Sequence, residues 1–316
     1  LRKFIHAAAA LAAVAFASPA GAQMELRIMA PAAPGGGWDQ TARAMQQALT
    51  TSGLAKSVQV FNVPGAGGSV GLAQLINAKG DNLLMVNGLV MVGALLTNKS
   101  AVSLDQATPI ARLTEEVQVI VVPASSPIKN AKDLADAVRA DPAKVTWAGG
   151  SAGGVDHITA ALFAKAAGAD ATKINYIPFS GGGESLAALL GSKVTAGISG
   201  YGEYEGQIKS GKLRLIGITS AIRIAGLDAP TFTEQGIDLV IANWRSVMAP
   251  PGLASEQKKT LADLVAKMVQ TPAWKEILKQ KGWEDSFMPS DVFAAFLKQE
   301  QARVAEVLKS VGLVKS

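Results

Sequence analysis

PGGGWDQ, residues 34–40, joins the end of an apolar run to the start of a helical pattern. Upstream, LRIMAP (26–31) has the composition of a strand; downstream, Trp38 to Leu49 places Ala42, Met45 and Leu49 on one helical face. The unit is therefore strand, glycine turn, helix. It recurs at VPGAGGSVG (63–71), AGGSAGGVDH (148–157) and PFSGGGES (178–185), each after a predicted strand and before a predicted helix. Repetition of that unit predicts an α/β fold with a largely parallel sheet.

The remaining pattern extends the same reading. SVQVFNV (57–63), LLMVN (83–87), ATPIARL (107–113), VQVIVVP (117–123), VTWAG (145–149), INYIPF (174–179), VTAGISG (194–200), LRLIGIT (213–219) and LVIANW (239–244) read as extended. Helices are predicted over about 69–77, 131–139, 155–167, 183–191, 202–210, 255–270, 273–281 and 290–310. Punctuation at 123–130 and 220–250 suggests two crossings between two lobes. Residues 23–123 with 240–316 form one and 124–239 the other, the last helices returning to the first.

Glycine lets the chain turn sharply and lets a ligand approach the backbone. A helix N-terminus offers unpaired N–H groups and a partial positive charge, so such junctions suit carboxylate or phosphate without Lys or Arg. One glycine-rich turn alone is more simply a tight connection; four together favour a site. Asp39 reads as a first-turn helix stabiliser. Trp38 reads equally as a pocket wall or a packed anchor.

The N-terminus reads as an export signal over residues 1–22: Arg2 and Lys3, an Ala-rich apolar run to Phe16, then Ala20-Gly21-Ala22. Its removal between Ala22 and Gln23 lowers the formal charge from +5 to +3 and places the protein in a periplasm. Cysteine is absent, which excludes disulfides and thiolate chemistry. Basic residues are scattered, with no aromatic stripe, so nucleic acid is not an expected partner.

Enzyme signatures do not survive inspection. Gly149-Gly150-Ser151-Ala152-Gly153 matches G-x-S-x-G, but the only mature histidine, His157, lies six residues after Ser151 rather than last in the hydrolase order. A serine esterase using Ser151 is thus the weakest alternative. GAGGSVG (65–71) lacks dinucleotide spacing, no P-loop occurs, and one His without Cys excludes ordinary zinc sites. No metal or cofactor is expected. Glu115-Glu116 and Glu203/Glu205 read as solvated.

In order, APAAPGGGWDQTAR, NVPGAGGSVG, GGSAGGVDHITAALF, IPFSGGGESLAALLG, ISGYGEY and ANWRSVMAPPG resemble the tripartite tricarboxylate transporter receptors, the Bug or TctC family. The resemblance spans essentially the whole mature chain. GGGWDQTAR with SGYGE and ANWR is most similar to the tricarboxylate-binding branch.

The resemblance implies a non-enzymatic, two-lobed venus-flytrap receptor of the type II periplasmic-binding class, with a ligand cleft between lobes. It implies a monomer that passes a citrate-like di- or tricarboxylate to one large and one small membrane subunit. A sensor signalling organic acids to a kinase is the alternative. The carried-over pincer loops are Pro34, Gly35, Gly36, Gly37 and Trp38, with Pro64, Gly65, Ala66, Gly67, Gly68 and Ser69. The second lobe contributes Ser151, Ala152 and Gly153; Ser180, Gly181 and Gly182; and Ser199, Gly200 and Tyr201. Ser151 and Ser180 are hydroxyl donors or plain helix caps. The missing acid in Ser199-Gly200-Tyr201 argues against an amino-acid ligand. Arg245 is the best cationic candidate, with a hinge salt bridge equally open; Asn87 is a weaker candidate.

Overall fold

The computed structural model describes residues 25–179, 182–224 and 226–314. The expected export signal, Ser180 and Gly181 lie outside the described residues. The first half opens with β1 (Glu25–Ala30), α1 (Gly37–Thr51), β2 (Ser57–Asn62), α2 (Ser69–Asn77), β3 (Leu83–Gly88) and α3 (Leu89–Thr97). It continues through β4 (Thr108–Pro123), α4 (Ala131–Ala140), β5 (Thr146–Gly149) and α5 (Val155–Ala166). Then come β6 (Asn175–Pro178), α6 (Gly182–Leu190), β7 (Ala196–Gly200), α7 (Tyr201–Lys209), β8 (Leu213–Ile218) and β9 (Ala242–Ala249). The chain ends in α8 (Ser255–Gln270), α9 (Pro272–Lys281), β10 (Glu284–Pro289) and α10 (Ser290–Ser310).

One sheet has the order β2-β1-β3-β9-β4-β7-β5-β6, with β8 and β10 also paired to β4. The expectation of a largely parallel sheet is corrected. The βα units at each end pair in parallel, but every pairing made by β4 or β9 is antiparallel. β4 and β9 are neighbours although the chain from α4 to β8 lies between them, so their antiparallel pairing is a long-range one that no local βα unit announces.

β4 is the spine. The two extended runs expected at 107–113 and 117–123 are one 16-residue strand, roughly 50 Å long at ~3.3 Å per residue. Its first part pairs with β9 and β10, its last part with β7 and β8. The return connection is stitched at Thr219, whose Oγ1 donates to the Ile241 carbonyl (2.6 Å) and accepts from the Gln118 N–H (2.9 Å). Residues 239–241 precede the strand, so LVIANW is extended only from Ala242, and β9 continues to Ala249.

α3 and β10 were not foreseen. LVMVGALLT is apolar all round and buried, so it lacks the polar face that marks a helix. EDSFMP is a short polar strand ending in proline, the composition of an edge.

The main apolar cluster is continuous along the molecule, from Leu26 and Met45 through Trp147 and Phe163 to Trp274 and Leu308. A satellite cluster covers the last part of β4, with Val119, Val121, Leu189, Tyr204 and Ile218. α10 closes one side: Trp244 meets Phe293 and Phe296 edge-on at 6.1 and 5.5 Å, and its Nε1 donates to Glu300 at 3.0 Å.

Candidate functional site

Two helices away from the cavity, α4 and α9, start with side-chain caps. Asn130 accepts from the Asp133 N–H at the start of α4, and Thr271 from the Trp274 N–H at the start of α9. Helices α1, α2 and α7 start instead at Gly36, Gly68 and Gly200, with no side-chain cap. All three glycines line one cavity of about 450 Å³. Backbone at helix N-termini, rather than Lys or Arg, is therefore what the loops present to a bound group.

The second loop holds an unusual backbone. Gly65, Ala66, Gly67 and Gly68 have φ of 139°, 46°, 63° and 94°, four consecutive positive values. Three glycines accept this freely, while Ala66 sits in the left-handed region at a cost of order 1 kcal/mol. The loop is pinned from below: a Cβ on Gly67 would lie 2.2 Å from the Ala94 Cβ of α3. A Cβ on Gly68 would lie 2.9 Å from the Trp38 ring, so Trp38 is both packed anchor and cavity wall.

The floor comes from the antiparallel strands. Glu116 and Gln118 alternate along β4, and Asn243 and Arg245 along β9, so each pair shares a face. All four line the cavity. The Arg245 guanidinium is hydrogen-bonded to the Glu116 carboxylate, stacks 4.7 Å over the Trp283 ring, and reaches Thr41 Oγ1 at 3.4 Å. Glu116 also accepts from Trp283 Nε1 at 3.0 Å and Asn243 Nδ2 at 3.3 Å. Burial pushes the Glu116 carboxyl up, Arg245 pulls it down, and the charge of Glu203 adds to the rise. Behind this pair lies a smaller cavity of about 130 Å³, which also touches Glu203, Lys281 and Trp283.

Two further acids enter from helix first turns. Asp156 Oδ2 accepts from the Gly150 N–H at 2.7 Å, and Glu203 Oε2 from Ser199 Oγ at 2.7 Å. Burial pushes Asp156 up to about 7; the Gly150 N–H opposes, and Glu203 and Glu116 add to the rise. Asp39 makes the same kind of turn-back bond, to the Gly35 N–H, but is also held by Arg43 and Asn62. Burial alone would raise it; those hydrogen bonds win and hold it below the usual carboxylate range. From the first turn of α1, Asp39 clamps the preceding loop.

The cavity brings together Gly36, Gly37, Trp38, Pro64, Gly65, Ala66, Gly67, Gly68, Ser151, Ser199, Gly200 and Arg245. Pro34 and Gly35 sit exposed on the outer turn, and Ser69, Ala152, Gly153 and Tyr201 are not among its walls. Gly182 begins α6. Asn87 is buried away from the cavity, its Oδ1 accepting from Ser246 Oγ at 2.8 Å. Arg245 reaches the site with its charge already paired.

Glu116 and Glu203, read as solvated, instead line the cavity, as do Gln118, Asp156 and Asn243, which the sequence reading passed over. Glu203 stands one turn after Ser199 on the cavity wall. His157 is structural: its Nδ1 accepts from the Gly153 N–H at 3.1 Å and its ring stacks on Tyr176 at 4.1 Å.

The comparisons agree with this architecture. The Bordetella pertussis protein BugT is 28% identical over 294 residues, covering 91% of this chain and 89% of BugT. The solved periplasmic binding protein BugD superposes with TM-score 0.79 at 25% identity, covering 93% of this chain and 99% of BugD. MatC from Rhodopseudomonas palustris, solved with bound malate, shares the fold with TM-score 0.79 at 23% identity, covering 90% and 99% of the two chains. The profile of the tripartite tricarboxylate transporter family receptor (TctC) matches residues 41–313, and the chain belongs to that family.

Proposed function

We propose that this chain is an extracytoplasmic receptor that captures a small carboxylic acid between two lobes, making and breaking no bond. The lobes are residues 23–123 with 240–316, and 124–239. The receptor then delivers the acid to the large and small membrane subunits of a tripartite transporter. Export through residues 1–22 would place it in the periplasm. The observation that carries this reading is the cavity itself, into which the uncapped N-termini of α1, α2 and α7 open. Malate bound to MatC is in keeping with an acid ligand.

A citrate-like tricarboxylate, the finer expectation from the resemblance, is poorly served by the charges. Three carboxylates, Glu116, Asp156 and Glu203, face one guanidinium, Arg245. Each ligand carboxylate brought within ~4 Å of an ionised wall acid would meet a repulsion of order 4 kcal/mol at an effective dielectric near 20. We therefore place one ligand carboxylate on the glycine loops.

The test is thermal unfolding of the purified protein against citrate, isocitrate, tricarballylate, succinate, glutamate, terephthalate and a sugar. A ligand at about a hundred times its dissociation constant adds roughly 2.7 kcal/mol to stability. A midpoint rise with one or more acids and none with the sugar is expected; no rise with any acid would sink the receptor reading.

A further inference from the structure

The walls of the cavity are not chemically uniform. On the side of the glycine loops they present helix N-termini; on the side of β4, β9 and α7 they present acceptors. Gln118 is fully buried and lines the cavity, and among the described residues neither its Nε2 nor its Oε1 has a partner. In the register it faces Gly200, which supplies no side chain to bond it. Asn243 gives its Nδ2 to Glu116, and its Oδ1 has no partner among the described residues. A buried amide left without partners is costly, so these groups are expected to meet a bound molecule.

The acids beside them are unbalanced. Asp156 and Glu203 take part in no ion pair among the described residues, whereas Glu116 is paired with Arg245 and Asp39 with Arg43. Each commits one oxygen to its own loop, Oδ2 to Gly150 and Oε2 to Ser199. Among the described residues, Asp156 Oδ1 and Glu203 Oε1 take no hydrogen bond. Lys281 lies by the smaller cavity and bonds Gln40 at 3.1 Å. Two acceptors of negative charge, an open amide and an unpaired carbonyl oxygen call for a ligand group rich in donors and positively charged.

We propose that the captured acid also carries a protonated amine, held by Glu203 and Asp156 with the carbonyl oxygens of Gln118 and Asn243, while its carboxylate rests on the glycine loops. This rests on the receptor reading above and narrows its ligand class. It also reverses the sequence-based argument against an amino-acid ligand, because Glu203 stands one turn from where that acid was sought.

The test is titration calorimetry with matched pairs that differ only in the amine. The pairs are aspartate and succinate, glutamate and glutarate, 4-aminobutyrate and butyrate, and leucine and 4-methylpentanoate. At least one amine-bearing member is expected to bind ten-fold or more tightly than its counterpart. In Glu203→Gln, which keeps the oxygen that accepts from Ser199, that preference is expected to fall ten-fold with an unchanged melting midpoint. Asp156→Asn gives the same preference readout from the other helix and retains an acceptor for Gly150, its melting midpoint rising above the wild-type value only as pH approaches and passes about 7. Equal or tighter binding of the amine-free members, or an undiminished preference in both variants, overturns the proposal and leaves the receptor reading intact. If neither set binds while other organic acids do, the proposal again falls alone. If no acid binds at all, both fall.

Discussion

The Arg245 guanidinium lies against the Glu116 carboxylate across the junction of β4 and β9, sandwiched between the Trp283 ring and the first turn of α1. Both side chains are more than nine-tenths buried. A Cβ on Gly37 would stand 2.6 Å from Arg245 Nη2, and one on Gly200 2.6 Å from the Glu116 carboxylate. The pair is thus wedged between helix starts that follow strands on either side of β9 and β4. It works as a joint between them, and only the remainder of its polar surface faces the ligand.

Breaking the pair from one side leaves a buried charge alone. Glu116→Ala is expected to destabilise the fold by about 3–5 kcal/mol, read from urea unfolding. Glu116→Ala combined with Arg245→Met should recover part of that loss, because the orphaned guanidinium is gone. A single-variant loss below about 1 kcal/mol would mean that water reaches the pair and that the joint carries little.

The loop at residues 65–68 offers paired changes of opposite sign. Ala66 is exposed with φ of 46°, so Ala66→Gly removes strain and loses little packing. It should stabilise by up to about 1 kcal/mol in thermal or urea unfolding. Gly67→Ala meets both a positive φ and the Ala94 Cβ at 2.2 Å. It should destabilise by several times that amount, of order 1–3 kcal/mol or more, and weaken ligand binding by displacing the loop. Equal effects from the two variants would show that the loop is not pinned against α3.

The parts legible in sequence are those where local chemistry decides the outcome. Bare backbone between a strand and a helix is visible as glycine, so the loops at 34–38 and 64–68 could be marked without knowing the fold. Glu116 could not be marked in that way. Its burial depends on Asn243 and Arg245, more than a hundred residues away, arriving on the neighbouring strand. Gln118 became a cavity residue because it faces a glycine on β7, another long-range register effect. The sheet's mixed character has the same origin: βα units advertise parallel pairing, while nothing local in β4 or β9 states that they cross. α3 was hidden for the opposite reason, since a helix buried on all sides has no periodicity to read.

The hydrolase-like Gly149-Gly150-Ser151-Ala152-Gly153 is predicted to be a ligand loop without nucleophilic chemistry. No hydrogen bond joins Ser151 to His157 among the described residues, and the His157 Nδ1 lone pair is occupied by the Gly153 N–H. Ser151→Ala should leave p-nitrophenyl ester hydrolysis at the background rate of the wild-type protein. It should weaken ligand binding by no more than about ten-fold, the scale of one hydrogen bond. A large fall in esterase rate with unchanged ligand binding would reverse this assignment.

Asp156 and His157 give opposite pH signatures, and the sign of the first also reports the ligand. Burial raises Asp156 to about 7, so the stability of its neutral form is fully present below the ordinary carboxylate value and lost as pH rises through about 7. Burial lowers His157 to about 4, so its contribution is complete above about pH 6.5 and lost as pH falls towards 4. The two slopes oppose over that window, and a variant is needed to separate them.

Asp156→Asn should match wild type near pH 4 and become more stable above pH 7. The gain is at most about 4 kcal/mol, at ~1.36 kcal/mol per pH unit. The charged and titrating groups facing Asp156 are Glu116, Glu203, Tyr176 and Tyr204. A ligand amine placed among them would favour ionised Asp156, so binding should release a proton near pH 7 and tighten as pH rises. An acid without an amine would do the reverse. Calorimetry in buffers of different ionisation enthalpy reads that proton directly, and proton uptake by an amine-bearing ligand would contradict the placement of its amine beside Asp156.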